Sequence, residues 1–384
     1  MSQSSGVTGP LRSGQDDRMR SSTPRVLVAV AAAAVAAAVA LSGCVASGDV
    51  EGTLPGGDPD ADPDAALGAD SADPTDAPPS PDGRSEVGAA PKDDSASSTD
   101  TAPAVDTSTP PIPGAAYGAK CSGMSANETE AWTEIAIIRG KAKMGALDCI
   151  DAVQTSARNH VHYSELNGWI LTHQEDPTKP GYTGVQFWDR MKAAGFSGPG
   201  SPMFEVAHST GDARAAILGD GGWINTLYHR IAFVSYGAHG YGFGGAGGGY
   251  PGSAVIDFAN GGSAPSASAI STWPVDGDTG VWTTFRCASE IPNPLPGKTV
   301  AGYPVSITGG GPVDVTTHTL TDPSGAALDH VLITSKNDPA GFVPKEQAYL
   351  IASAPLAGGT RYVAHFAGAV GGAPFDTTFS FTTQ

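Results

Sequence analysis

The chain has 384 residues, with 39 acidic and 21 basic side chains and a formal net charge of −18. That balance excludes the basic surface that a phosphate backbone demands, so nucleic acid is not an expected partner. The charge is unevenly placed: from Val45 to Ala115, 15 acids face only Arg84 and Lys92, a local net of −13 (−15 + 2).

Arg18, Arg20 and Arg25 precede an apolar run from Val26 to Leu41, and the run closes on Leu41-Ser42-Gly43-Cys44. A basic segment, an apolar stretch and small residues before a cysteine have the order of an export signal. The run falls short of the roughly 20 residues a membrane-crossing helix needs. Its end resembles a bacterial lipobox, which implies cleavage before Cys44 and a diacylglycerol on the Cys44 thiol. Residues 1–43 are therefore expected to be a lipoprotein signal peptide, and the rest to face the exterior of the cell membrane, held by a lipid anchor. Residues 44–115 are rich in Asp, Pro, Ala, Gly, Ser and Thr. Such a segment lacks the apolar surface that offsets ordering entropy, and it predicts a disordered, extended tether.

Between about 129 and 260 the pattern mixes helix and strand. Trp132, Ile135, Ile138, Met144, Leu147, Ile150, Val153, Ala157 and Val161 recur at helical steps. A second helix is predicted over 184–194 with Val185, Trp188 and Met191 on one side, and a third over 212–218 with Asp212 at its start. Short strands are expected at 203–208 and 254–258. The glycine-rich stretch 237–252 suits tight turns or close backbone approach. Cys121 and Cys149 can pair in an oxidising exterior, or either can pair with Cys287; no CxxC spacing offers a metal site.

From about 263 the texture becomes short β-rich runs at 305–308, 331–334, 349–351, 362–366 and 378–383, separated by Gly, Pro, Asp and Asn. These predict an all-β sandwich, with Ile291 to Pro296 as an edge or connector. No acid pair or nucleophile constellation stands out in this half.

Four landmarks occur in order in the first folded region: Thr172-His173-Gln174-Glu175, Phe204-Glu205-Val206, Gly222-Trp223-Ile224-Asn225-Thr226 and Tyr228-His229-Arg230. Together with Ala157-Arg158-Asn159-His160, Tyr163, Pro180-Gly181-Tyr182-Thr183-Gly184 and Val255-Ile256-Asp257-Phe258, this order resembles the CAP superfamily (cysteine-rich secretory, antigen 5 and pathogenesis-related-1 proteins) in its bacterial SCP-like branch. The resemblance spans roughly residues 130–260. It implies an α-β-α sandwich CAP domain over 116–262. It also implies a cleft lined by two histidines and two acids. His173, Glu205 and His229 match three of them; the second acid has no match, since Thr226 stands in its place and only Asp212 and Asp220 lie between Glu205 and His229. More loosely, Glu290-Ile291-Pro292-Asn293-Pro294-Leu295-Pro296, Gly302-Tyr303-Pro304-Val305 and the closing Thr378-Phe379-Ser380-Phe381-Thr382-Thr383 resemble the β-sandwich modules that follow CAP domains in bacterial envelope proteins, which implies an all-β, Ig-like sandwich domain over 263–384 and an α+β chain as a whole.

Two imidazoles and a carboxylate offer either a zinc site, with His173 and His229 as ligands, or a general base. Ser209 and Thr210 are weak nucleophile candidates. There is no G-x-S-x-G elbow and no H-E-x-x-H helix. Glu175 reads as a solvated acid, His160 and His162 as helix-surface or core-edge residues, and the Asn127 acceptor triplet as chance. The expectation is a cell-envelope binding protein holding an apolar, lipid or cell-wall ligand in the His/Glu cleft. The alternatives are a metal-assisted envelope hydrolase using that cleft, and a surface spacer or adhesion protein.

Overall fold

The computed structural model describes residues 112–198 and 200–384, and the backbone alone of Cys44–Ala46 and Pro202. The expected signal segment 1–43 and the tether from 47 to 111 lie outside the described residues. Among the described residues no helix is long and apolar enough to cross a membrane.

The first part is a mixed sheet with helices on it. Its elements are β1 (Cys44–Ala46), α1 (Ala126–Lys141), β2 (Asp148–Cys149), α2 (Asp151–Leu166), α3 (Phe187–Ala193), β3 (Pro202–His208), α4 (Ala213–Leu218), α5 (Arg230–Phe233), β4 (Ala238–Ala246) and β5 (Ser253–Asn260). The long helical pattern seen in the sequence is two helices, broken where Ala142 to Ile150 pass through β2. A capping box starts α1: the Ser125 hydroxyl accepts from the Glu128 N–H at 3.2 Å, and the Glu128 carboxylate accepts from the Ser125 N–H at 2.6 Å. The predicted cap of α4 is present, with Asp212 accepting from the Ala215 N–H at 2.7 Å. The helix predicted over 184–194 is shorter, and Trp188 turns outward at 46% exposure while Met191 is buried.

Alternation along β3 and β5 sorts the helices onto two faces. Ala207 and Val255 pack on Ala157 and Val161 of α2. Val206, Ile256 and Phe258 pack on Ile135 and Ile138 of α1, together with Trp223. The glycine-rich stretch, which suggested turns, is largely the strand β4. Close backbone approach is the reason for its composition: a Cβ on Gly242 would lie 2.1 Å from the Gln154 nitrogen, and one on Gly244 2.6 Å from the Ala157 oxygen. Helix α2 can lie on this strand only because side chains are missing there.

Cys121 and Cys149 form a disulfide, and Cys287 is free and buried. The bridge spans 28 residues and ties the segment ahead of α1 to β2. For a loop of that length the loss of unfolded-state entropy amounts to about 3–4 kcal/mol. Replacing both cysteines by serine is expected to lower unfolding free energy by that amount in a denaturant titration, with little change in m-value beyond that of a more expanded unfolded chain.

The second part consists of antiparallel and mixed sheets. It contains β6 (Ile270–Trp273), β7 (Asp278–Val281), β8 (Thr284–Phe285), β9 (Glu290–Ile291), β10 (Ala301–Gly302), β11 (Pro304–Gly309), β12 (Val313–Thr321), β13 (His330–Thr334), β14 (Gln347–Ala352), β15 (Arg361–Val370) and β16 (Ala373–Thr383). Two four-stranded sheets, ordered β13-β14-β11-β6 and β12-β15-β16-β7, enclose one core. Val305, Ile307 and Leu350 from the first sheet meet Leu320, Phe366 and Phe379 from the second. The strand β9 instead joins the edge of the first part's sheet, in the order β2-β4-β5-β3-β1-β9. Residues 44–46, assigned by composition to the tether, supply the intervening strand β1.

A shared core links the two parts: Leu227, Tyr228 and Ile231 pack with Val343, Tyr349 and Ile351. Arg230, fully buried, crosses the same junction. Its Nε donates to the Ile224 carbonyl at 2.7 Å, a terminal nitrogen donates to the Pro304 carbonyl at 2.6 Å, and its guanidinium stands 5.0 Å from the Tyr303 ring.

Candidate functional site

Glu205 lies on β3 opposite Asp257 of β5, and both side chains point to the α2 face. His173, in the loop after α2, brings its Nδ1 to 2.7 Å from Glu205 Oε1. Arg190 of α3 is bonded to Glu205 Oε2 and donates to the His173 carbonyl at 3.0 Å. Burial alone would raise the Glu205 carboxyl. The Arg190 guanidinium, His160 and the His173 hydrogen bond more than reverse this and hold it well below the usual carboxylate range. Asp257 goes the other way: burial first, then the charge and hydrogen bond of Glu205, push it well above its ordinary value. The two buried carboxyls are thus pushed in opposite directions, while Ser156 donates to Asp257 Oδ2 at 2.7 Å.

The network continues outward through Glu175, read from sequence as a solvated acid but 2% exposed. It accepts from the Thr183 N–H at 2.6 Å and lies 2.9 Å from the Nδ1 of His160, itself 2% exposed. The His160 Nε2 sits 2.7 Å from the Thr172 carbonyl, so this histidine and carboxylate pin both ends of the loop that carries His173. Of the two histidines read as helix-surface or core-edge residues, His162 is exposed and His160 is buried.

His229 stands in a second cluster on the opposite, α1 face of the sheet. It is fully buried, with Nδ1 2.9 Å from Glu290 Oε1 and 3.1 Å from the Thr226 hydroxyl. Its Nδ1 faces this carboxylate, and its Nε2 is buried with no hydrogen-bond partner among the described residues. His208, at the end of β3, points to this face and meets Trp223 edge to face at 6.1 Å. Its Nδ1 accepts from the Thr210 N–H at 3.1 Å, so the neutral ring carries its proton on Nε2.

Burial, and secondarily the nearby His229, push His208 down from 6.5 to about 4. The folded value is depressed, so the unfolded chain takes up the proton first. The contribution of a neutral His208 is complete above pH 6.5 and disappears as pH falls through 4. It amounts to about 3 kcal/mol, and His208→Gln is expected to remove this part of the acid dependence in urea titrations run at a series of pH values.

Of the three residues the sequence singled out, His173 and Glu205 are in direct contact, and His229 lies across the sheet from them. His173 and His229 do not converge and therefore do not fit a shared zinc ion. Among the described residues no group of three or more His, Cys, Asp or Glu side chains is arranged to hold a metal. Ser209 and Thr210 follow β3, where the Thr210 hydroxyl donates to the Gly248 carbonyl at 3.1 Å.

The sequence reading missed Arg190, Asp257, His208 and Glu290. Asp257 carried a signal, as a charged residue between Ile256 and Phe258 in an otherwise apolar strand. Glu290 carried none, because it lies 61 residues beyond His229. No protein-family model matches the chain, and no curated protein matches its sequence.

Proposed function

We propose that the chain is an exported cell-envelope protein, lipid-anchored at Cys44. Its first part is a CAP-type α-β-α sandwich, its second an Ig-like sandwich, and it acts by binding a ligand rather than by turnover. One observation carries the non-catalytic reading: the residues that resemble the CAP histidine and acid set are divided between two faces of the sheet, and each is committed to a buried structural partner. His173 and Glu205 are sealed by Arg190, and His229 is held by Glu290. General base catalysis requires a group within hydrogen-bond reach of a substrate proton, and Glu205 and His229 are both 0% exposed.

Native mass spectrometry with metal analysis on the exported full chain tests this reading. A diacylglycerol mass at Cys44 and a bound small molecule without stoichiometric metal are expected. A stoichiometric divalent ion lost in a His173→Gln, His229→Gln variant that still folds would instead establish the metal-assisted hydrolase. So would hydrolysis of cell-wall material abolished by that variant.

A further inference from the structure

The junction between the two parts offers a cavity apart from the buried histidine clusters. A groove of about 690 Å3 runs along it, lined by residues of both parts. That volume lies in the range of small-molecule sites, which favour such junctions. From the first part come Phe204 of β3, Tyr236 and Asn260; from the second, Phe342 and Glu346. Part of its lining is glycine backbone. Gly237 accepts from the Gly261 and Gly262 N–H groups at 3.1 and 2.9 Å, Gly309 donates to the Glu346 carbonyl at 2.7 Å, and Gly310 donates to the Ala269 carbonyl at 2.8 Å. Gly310 admits no side chain, because a Cβ there would lie 2.0 Å from the Ser266 oxygen. These hydrogen bonds fix the groove's shape before any ligand arrives, which lowers the ordering penalty of binding.

The lining chemistry narrows the ligand. Glu346 is the one charged side chain among the described residues that line the groove, so an anionic head group or phosphate has no cation to meet. The Asn260 amide, the hydroxyls of Ser235, Ser263 and Ser266 and the Glu346 carboxylate break the apolar surface an acyl chain requires. Aromatic rings interleaved with an amide, hydroxyls and a single carboxylate suit a molecule with apolar C–H faces and a rim of hydroxyl donors.

We infer that the junction groove is a binding site for a neutral oligosaccharide, seated on Phe204 and Phe342 with its hydroxyl or acetamido groups on Asn260 and Glu346. The inference rests neither on the lipid anchor nor on the roles of the histidines. A catalytic activity elsewhere in the chain would leave it standing.

The test is calorimetric titration of the full chain with three tetrasaccharides: the N-acetylglucosamine tetramer, cellotetraose and maltotetraose. At least one is expected to bind with 1:1 stoichiometry. Ser263→Trp places a large ring on an exposed rim position and removes no core contact; it is expected to weaken that binding at least tenfold. Glu346→Gln is expected to weaken it about threefold to tenfold, and Ser324→Trp, in the turn after β12, to leave it unchanged. Circular dichroism melts confirm that each variant folds. If none of the three saccharides binds, or if binding survives Ser263→Trp in a folded protein, the assignment is wrong.

Discussion

Arg190→Met is expected to lower stability by about 3–5 kcal/mol at neutral pH, the usual loss when one partner of a buried ion pair is removed. Arg190 is 1% and Glu205 0% exposed, so no solvent replaces the missing guanidinium. The pH dependence separates this cause from lost packing. In the native chain Glu205 is held below the usual carboxylate range, so its contribution is complete above the ordinary value of 4.5 and is lost as pH falls below it. Without Arg190, burial raises the carboxyl instead; the deficit is then small in acid and grows as pH rises above 4.5. The stability difference between the two proteins should therefore widen from pH 4 to pH 7 in denaturant titrations. Glu205→Gln added to Arg190→Met removes the stranded charge and should restore part of the loss. A difference independent of pH, with no recovery in the double variant, would show that Arg190 acts by filling space alone.

How much of this was legible in the sequence depends on how local each signal was. Helix α2 and strands β3, β5, β11 and β14 write their burial into a short window as a period of 3.6 or 2 or as an apolar run, and they fall where expected, whereas the apolar steps of α1 ran on into those of α2 and hid the break at Ala142 to Ile150. Strand β4 does not, because glycine has no side chain to alternate; its sequence records the proximity of α2, a tertiary fact. Strand β12, Val313–Thr321, went unread because its polar middle leaves only Val313 and Leu320 buried. The site divides the same way. His173 and Glu205 stood out as polar residues in a recognisable order. Their partners are set by topology: Arg190 arrives from α3, Asp257 from the neighbouring strand and Glu175 from a loop folded back on α2. The carboxylate beside His229 comes from the second part of the chain, where no pattern links it to a histidine 61 residues earlier.

That acid supports the second large expectation. Glu290→Ala should lower stability by about 3–5 kcal/mol, and the loss should be centred on the segment that joins the two parts. Glu290 is 1% exposed and accepts the N–H groups of Leu227, Tyr228 and His229 at 3.1, 2.6 and 3.2 Å, in addition to the His229 ring. Alanine would strand three buried backbone donors at the start of α5, where helical carbonyls cannot reach them. Those donors lie between Ile224 and Ile231, the stretch that supplies Leu227 and Tyr228 to the shared core and Arg230 to the Pro304 carbonyl. Hydrogen exchange at Leu227, Tyr228 and His229 should therefore accelerate more than exchange at β15 or β16, which lie in the other core. Glu290→Gln keeps an acceptor oxygen but loses the charge and part of the His229 bond, and should fall between the two. If alanine and glutamine variants both stay within about 0.5 kcal/mol of the native chain, the carboxylate does not hold the junction.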